Sequence, residues 1–266
     1  MVNFLKYKFL YFFISLLIIG FGLFSIFKWG FRYSIDFVGG TNLEYKVRGK
    51  VYSIRTKALD KKGQDKLISN LEKEKKGKVD VLRLETVGPT LGRETINKTA
   101  IASFLAVLGI LIYMSFAFKG FNFAFAAILA MVHDLLVVIG SYSLLSHFFG
   151  AEVDTMFVTA VLTTMSFSVH DTIVIFDKIR EYFQTEAGVD IERFANKALT
   201  ETMVRSLNNS MTIVFMLLSL TLMGGSTIRF FIIALLIGTI TGTYSSPFVA
   251  TPILVWLTRL SKKKQL

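Results

Sequence analysis

Cysteine is absent from the 266 residues, which excludes disulfide staples, thiolate nucleophiles and Cys-ligated zinc or iron–sulfur centres. Histidine is scarce: His133, His147 and His170 are the whole complement and stand at no metal-ligand spacing, so no metal site is expected. The Gly39-Gly40-Thr41 run lacks the lysine of a P-loop, which argues against ATP hydrolysis by this chain. The serines near His170 are neighbours along one helix rather than members of a Ser-His-Asp set, so neither enzymatic activity nor an organic cofactor is expected. Lys and Arg outnumber Asp and Glu by 30 to 19, a formal charge of +11. These basic residues flank apolar runs or fall in one polar region, and without a base-reading motif nucleic acid is not an expected partner.

What the chain has is hydrocarbon: 53% of its residues are hydrophobic and 26 are Phe, gathered into long uninterrupted runs. A spanning helix needs about 20 mostly apolar residues to cross roughly 30 Å of lipid. That criterion selects spans at 9–28, 99–118, 121–147, 153–176, 207–225 and 229–257. The first run follows Lys6 and Lys8 and continues to Lys28-Trp29-Gly30-Phe31-Arg32 without a small-residue cleavage site. It is too long for the apolar region of a signal peptide and is read as an uncleaved helix. A Phe118-Lys119-Gly120 turn is expected between the second and third spans.

The expected architecture is a membrane all-α bundle of six transmembrane helices with a small α/β domain between helices 1 and 2. Its divisions are a first helix at 1–29, a polar domain at 30–98, a five-helix bundle at 99–258 with a polar loop at 177–206, and a basic tail at 259–266. Lys and Arg of short loops set orientation, whereas long domains cross regardless of charge. With the N-terminus inside, the inner segments hold Lys6, Lys8, Lys119, Lys178, Arg180, Arg193, Lys197, Arg205, Arg259 and Lys262 to Lys264. The short outer loops hold only Arg229, beside Glu152 and Asp154. Both termini are therefore placed in the cytoplasm and the polar domain outside.

Within that domain, 34–47 reads as a strand with a bulge or bend at Gly39-Gly40. Residues 57–76 read as an amphipathic helix on Leu59, Leu67, Ile68 and Leu71, and 78–87 as a second strand on Val79, Val81, Leu82 and Leu84. A domain of this size has little core of its own and is expected to lean on a partner domain.

Ionisable side chains inside a span cost at least about 2.5–3.5 kcal/mol on insertion scales and normally face protein or an aqueous cavity. His133-Asp134 lies near the middle of the third span and His170-Asp171 in the inner half of the fourth. Thr164, Ser168 and Asp171, at i, i+4 and i+7, share one helix face and form a polar stripe ending in a carboxylate. Asp171 reads either as a proton or sodium relay, titrating as burial and a mobile counter-charge shift it, or as a packing hydrogen bond; its cost favours the relay. His133 and Asp134 are either part of that path or a lock between two helices. Arg205 is either a snorkelling residue at a helix end or the counter-charge of Asp171. Asn208, Asn209 and Ser210 read as interhelical glue or as a lining of the ion path.

The sequence also carries a resemblance. Asp36-Phe37-Val38-Gly39-Gly40-Thr41 is similar to the D-F-x-G-G-T signature that opens the external domain of SecD and SecF proteins. Val87-Gly88-Pro89-Thr90-Leu91-Gly92 resembles their V-G-P-x-x-G element. The run from Phe167 to Glu181 resembles the SecF pattern Y-S-I-N-D-T-I-V-V-F-D-R-I-R-E, and Glu201 to Asn208 resembles Q-T-L-S-R-S-L-N. The departures are His170 for Asn, Lys178 for Arg, Glu201 for Gln and Val204 for Ser. The one-plus-five helix plan covers the whole chain.

That resemblance implies a Sec-pathway subunit of a bacterial inner membrane, built on the plan of the resistance-nodulation-division exporters. It implies SecD, the SecYEG channel, translocating preproteins and membrane lipid as partners. It assigns ion transport to the positions of Asp171 and Arg205, in agreement with the reading above. The rival is half of an ion-driven small-molecule or lipid exporter, for which the small external domain leaves little room for a substrate pocket.

Overall fold

The structure is a computed structural model that describes residues 2–75, 77–117, 120–185 and 190–263. Two compact units emerge, one of residues 1–31, 104–151 and 156–266, the other of residues 32–103 and 152–155.

In the larger unit apolar runs become long helices: α1 (Lys8–Trp29), α5 (Phe121–Phe149), α6 (Thr155–Thr185) and α7 (Ile191–Met223). With α4 (Pro89–Ala117) and the last helical run, six segments of the described residues are long and apolar enough to cross a membrane. The α4 helix starts at Pro89 rather than at 99. Proline suits a first helical position, where its missing N–H costs nothing. Arg93, Glu94, Asn97 and Lys98 dilute the apolar signal of its first turns. Helices α6 and α7 also run past the spans read from hydropathy, into the polar segment between them. Phe118 and Lys119, on which a tight turn was expected, lie outside the described residues, as do 186–189 and Lys264.

The last run is a continuous helix with a π-helical turn inside it. Helix α8 (Arg229–Ser245) passes through a π-helical turn, Ser246–Ala250, into α9 (Thr251–Lys263). Pro247 lies within that turn, and Tyr11 of α1 packs its ring 4.5 Å from Phe248. The Tyr244 hydroxyl donates to the Tyr11 carbonyl at 3.0 Å.

Helices α1 and α5 cross at Gly22 and Gly140. A Cβ on Gly140 would stand 2.6 Å from the Gly22 Cα, so only two glycines permit the approach. Hydrocarbon gives no hydrophobic drive between helices, and close packing plus interhelical hydrogen bonds takes its place. Ser143 donates to the Gly30 carbonyl at 2.9 Å and accepts from Ser25 at 2.8 Å, one turn beyond the crossing. Gly140→Ala is expected to destabilise the purified protein by about 1–3 kcal/mol, the usual cost of forcing extra volume into a packed site. An unchanged thermal midpoint would refute the crossing.

The smaller unit holds a three-stranded antiparallel sheet in the order β3-β2-β4, from β2 (Gly40–Val47), β3 (Lys50–Thr56) and β4 (Asp80–Val87). Helix α3 (Lys61–Lys75) covers it, and Leu43, Tyr45, Val47, Leu71 and Val79 form the core. The strand expected from residue 34 begins only at Gly40. Before it, β1 (Arg32–Tyr33) pairs in parallel with β5 (Glu152–Val153), and Ile35–Val38 forms a helical turn, α2, capped by the Ser34 hydroxyl. The bulge lies not at the glycines but opposite Glu44 and Tyr45, where β4 skips Leu82. Strand β3 was not read from the sequence; it is joined to β2 by Arg48 and Gly49, both at positive φ.

The two glycine motifs meet in this unit. A Cβ on Gly39 would lie 3.0 Å from the Pro89 Cα, and one on Gly92 would lie 2.8 Å from the Phe37 carbonyl oxygen. Thr41, fully buried, shares a 2.8 Å hydrogen bond with Thr86 and accepts the Leu59 N–H. Gly39 thus packs against the start of α4, Gly40 against Thr56 of β3, and Thr41 ties β2 to β4, while the Asp36 N–H closes the cap of α2.

Candidate functional site

Polar side chains of α5, α6, α7 and α8 converge inside the larger unit because α8 is thin where α6 passes it. A Cβ on Gly238 would stand 2.2 Å from the Thr164 methyl carbon, and one on Gly242 would stand 3.1 Å from the Ser168 Cα. Glycine at both points lets the polar stripe of α6 press against α8 backbone.

Two carboxylate centres result. The first is Asp134, 3% exposed, whose Oδ1 lies 2.9 Å from His133 Nδ1. Its Oδ2 accepts from the Ser245 hydroxyl of α8 at 2.6 Å and from the Ser168 hydroxyl of α6. Two hydroxyls and an imidazole nitrogen thus surround one buried carboxyl. His133 Nε2 is buried without a hydrogen-bond partner among the described residues. Thr172 and Ser246 share a 2.9 Å hydrogen bond, so α6 is bonded directly to the π-helical turn and reaches Ser245 of α8 through Asp134.

The second centre is Asp171, 8% exposed, whose Oδ2 accepts from the Ser206 hydroxyl of α7 at 2.9 Å. His170 Nδ1 stands 3.9 Å from Oδ1, with its side chain 70% exposed. Beside them lies a cavity of about 20 Å³, lined by Asp171, His170, Asn209, Ser210, Thr239 and Thr243 among others. That is room for about one water molecule.

The structure separates what one helix face had joined. Thr164, Ser168 and Asp171 are all buried, but Ser168 serves Asp134 whereas Asp171 turns to α7. Arg205 is exposed and makes no ion pair with Asp171 among the described residues; its neighbour Ser206 occupies that place. Asn209 reaches the cavity, while Asn208 is exposed and does not line it. Ser206, Ser245, Ser246, Thr239 and Thr243 were not singled out from the sequence. The signal for the last four was the density of Gly, Ser and Thr over 238–246.

The molecule is thus a polytopic membrane protein whose helical core encloses two buried carboxylates in hydroxyl cages. Comparison with known proteins places it further. The family model for the C-terminal region of the protein export membrane proteins SecD/SecF matches residues 67–260, and that for the SecD/SecF GG motif matches residues 24–51. The chain is 37% identical to protein translocase subunit SecF of Thermobaculum terrenum, over 96% of this chain and 93% of the relative. It is 31% identical to protein translocase subunit SecF of Pseudomonas aeruginosa, over 98% of this chain and 93% of the relative. The crystal structure of SecDF, a translocon-associated membrane protein from Thermus thermophilus, superposes with a TM-score of 0.87 at 29% identity. That match covers 97% of this chain but only 39% of the solved one. The chain belongs to the SecF members of the SecD/SecF family of protein export membrane proteins.

Proposed function

We propose that this chain, paired with SecD, couples a proton or sodium gradient to protein translocation through the SecYEG channel of a bacterial inner membrane. The observation that carries the coupling step is Asp171: a carboxylate buried between two helices, beside a cavity of one-water size, with an exposed imidazole as its nearest titratable neighbour. A carboxylate so placed binds a cation when burial disfavours its bare charge and releases it when a fixed positive charge approaches. Arg205 directly follows Val204 and precedes Ser206 on α7, so it stands about 100° around the helix from the residue now bonded to Asp171. Axial rotation of α7 exchanges the hydroxyl for the guanidinium. His133 and Asp134 contribute by holding α6 against α8 while α7 moves.

A SecD partner is supported by the match to part of a larger protein named SecDF, and by the relatives named as translocase subunits. The test is translocation of a preprotein into inverted membrane vesicles from cells with and without this chain. Gradient-dependent stimulation is expected only when the chain and SecD are both present. Equal stimulation without the chain would end the proposal.

Orientation is a separate expectation, drawn from loop charge. The polar domain at 30–98 lies outside the cytoplasm and both termini lie within it. With cysteine absent from the natural sequence, Lys62→Cys is expected to react with an impermeant maleimide in intact cells and Gln184→Cys only after lysis. The reverse pattern would invert the topology.

A further inference from the structure

In the larger unit the first turns of α1, with Leu129 of α5, Glu192 of α7 and the start of α9, enclose a cleft of about 470 Å³. Phe9, Phe12, Leu129, Ile253 and Trp256 wall it with hydrocarbon, and Phe9 and Trp256 remain 80% and 60% exposed. The charged residues of its lining are Lys8, Arg259 and Glu192. Arg259 is already committed, with one amine 2.6 Å from an Asp190 carboxylate oxygen and 2.5 Å from one of Glu192. Lys8 is not: among the described residues it meets no carboxylate, and its ammonium stands 5.8 Å from the centre of the Phe9 ring.

We propose that this cleft is a binding site for an anionic glycerophospholipid, one acyl chain lying among the aromatic and aliphatic walls and the phosphate on Lys8. The occupant follows from shape and charge together. A helix with its side chains is about 10–12 Å across and does not enter a cleft of this volume, whereas a single hydrocarbon chain does. Among the described residues Lys8 meets no carboxylate and its ammonium lies 5.8 Å from the centre of the Phe9 ring on the apolar wall, so a phosphate held by Lys8 sets the first methylenes of its acyl chain beside that wall. Arg259 and its two acids together carry one net negative charge, which Lys8 and Lys6, the latter lying in the chain between the lining residues Leu5 and Lys8, outweigh by one, so the surroundings favour a headgroup of net negative charge. Basic pockets between membrane helices hold anionic headgroups by the same combination. Trp256, partly exposed at this level, is the kind of side chain that sits at the boundary between lipid and water.

The site is independent of Asp171 and of the coupling proposal, and its test needs no transport assay. The full chain, purified in mild detergent with any subunit that accompanies it, is titrated with phosphatidylglycerol or phosphatidylethanolamine and read by native mass spectrometry. Phosphatidylglycerol is expected to be retained in preference to phosphatidylethanolamine. Lys8→Gln is expected to lower that retention about fivefold, the factor that one basic residue beside an anionic surface supplies, and to leave phosphatidylethanolamine unchanged. Ile253→Trp, which fills the cleft from its wall, is expected to remove both adducts. Equal retention of the two lipids by the natural sequence, or no change with either variant, would overturn the proposal. So would a crosslinker at Trp256→Cys that captures a subunit helix and no lipid.

Discussion

Asp171→Asn is expected to remove the gradient-dependent part of preprotein translocation, while leaving assembly with SecD and basal channel activity near those of the natural chain. Asn keeps the volume and still accepts from Ser206, so the contact between α6 and α7 survives. What it loses is the ability to take up and release a cation as the environment changes. Arg205→Met should impair the same stimulation strongly, and Arg205→Lys less, because Lys retains the positive charge without the planar fork. His170→Asn should preserve stimulation and move its pH dependence, since it removes the titratable group 3.9 Å from the carboxylate. The measurement is ion-gradient-dependent translocation in vesicles carrying each variant, and undiminished stimulation with Asp171→Asn would sink the mechanism.

The second large effect is expected at Asp134, and it differs in kind. Asp134→Leu leaves two serine hydroxyls and His133 Nδ1 without the buried acceptor they share, and removing one partner of a buried charged network typically costs about 3–5 kcal/mol. The variant should be poorly assembled in the membrane, not merely inactive. Asp134→Asn should cost less, because its carbonyl still accepts from Ser168 and Ser245 while its amide meets His133 Nδ1. Ser245→Ala, which removes one of the three partners, should fall between the natural chain and Asp134→Leu. Thermal unfolding of the purified proteins and their yield from membranes give the order. If Asp134→Leu were as stable as the natural chain yet lost stimulation, Asp134 would be a carrier of the coupling ion and not an anchor.

The contrast between these two carboxylates shows what was readable before the fold. Spans built from uninterrupted hydrocarbon declare themselves, because lipid imposes one simple requirement on them. The cost of Asp134 and Asp171 is equally visible, since no apolar run tolerates a carboxylate without reason. Their partners were hidden. Ser206, Ser245 and Ser246 are small hydroxyls of the kind that pack any membrane helix, and only the approach of Gly238 and Gly242 to α6 turns some of them into ligands of a charge. The helical stripe of Thr164, Ser168 and Asp171 was sound as geometry but silent on which neighbour each residue faces. In the smaller unit β3 was missed because its hairpin turn relies on Arg48 in a left-handed conformation, which the sequence does not advertise. The early start of α4 was missed because charge at a membrane boundary resembles a loop.

The π-helical turn at Ser246–Ala250 has a mechanical meaning of its own. A π turn amounts to one surplus residue accommodated within an α-helix, so passing into an α turn reels in or pays out a single residue of backbone. Each such step rotates one half of the helix against the other by about 100° and slides it by about 1.5 Å. The final span is therefore two shafts joined by a slip coupling. Ser245 and Ser246 sit on the coupling, in contact with Asp134 and Thr172. Arg259, clasped to the foot of α7 by Asp190 and Glu192, is carried by the far shaft. A rearrangement of hydroxyls one turn wide in the middle of the bundle thus has a direct drive to its end.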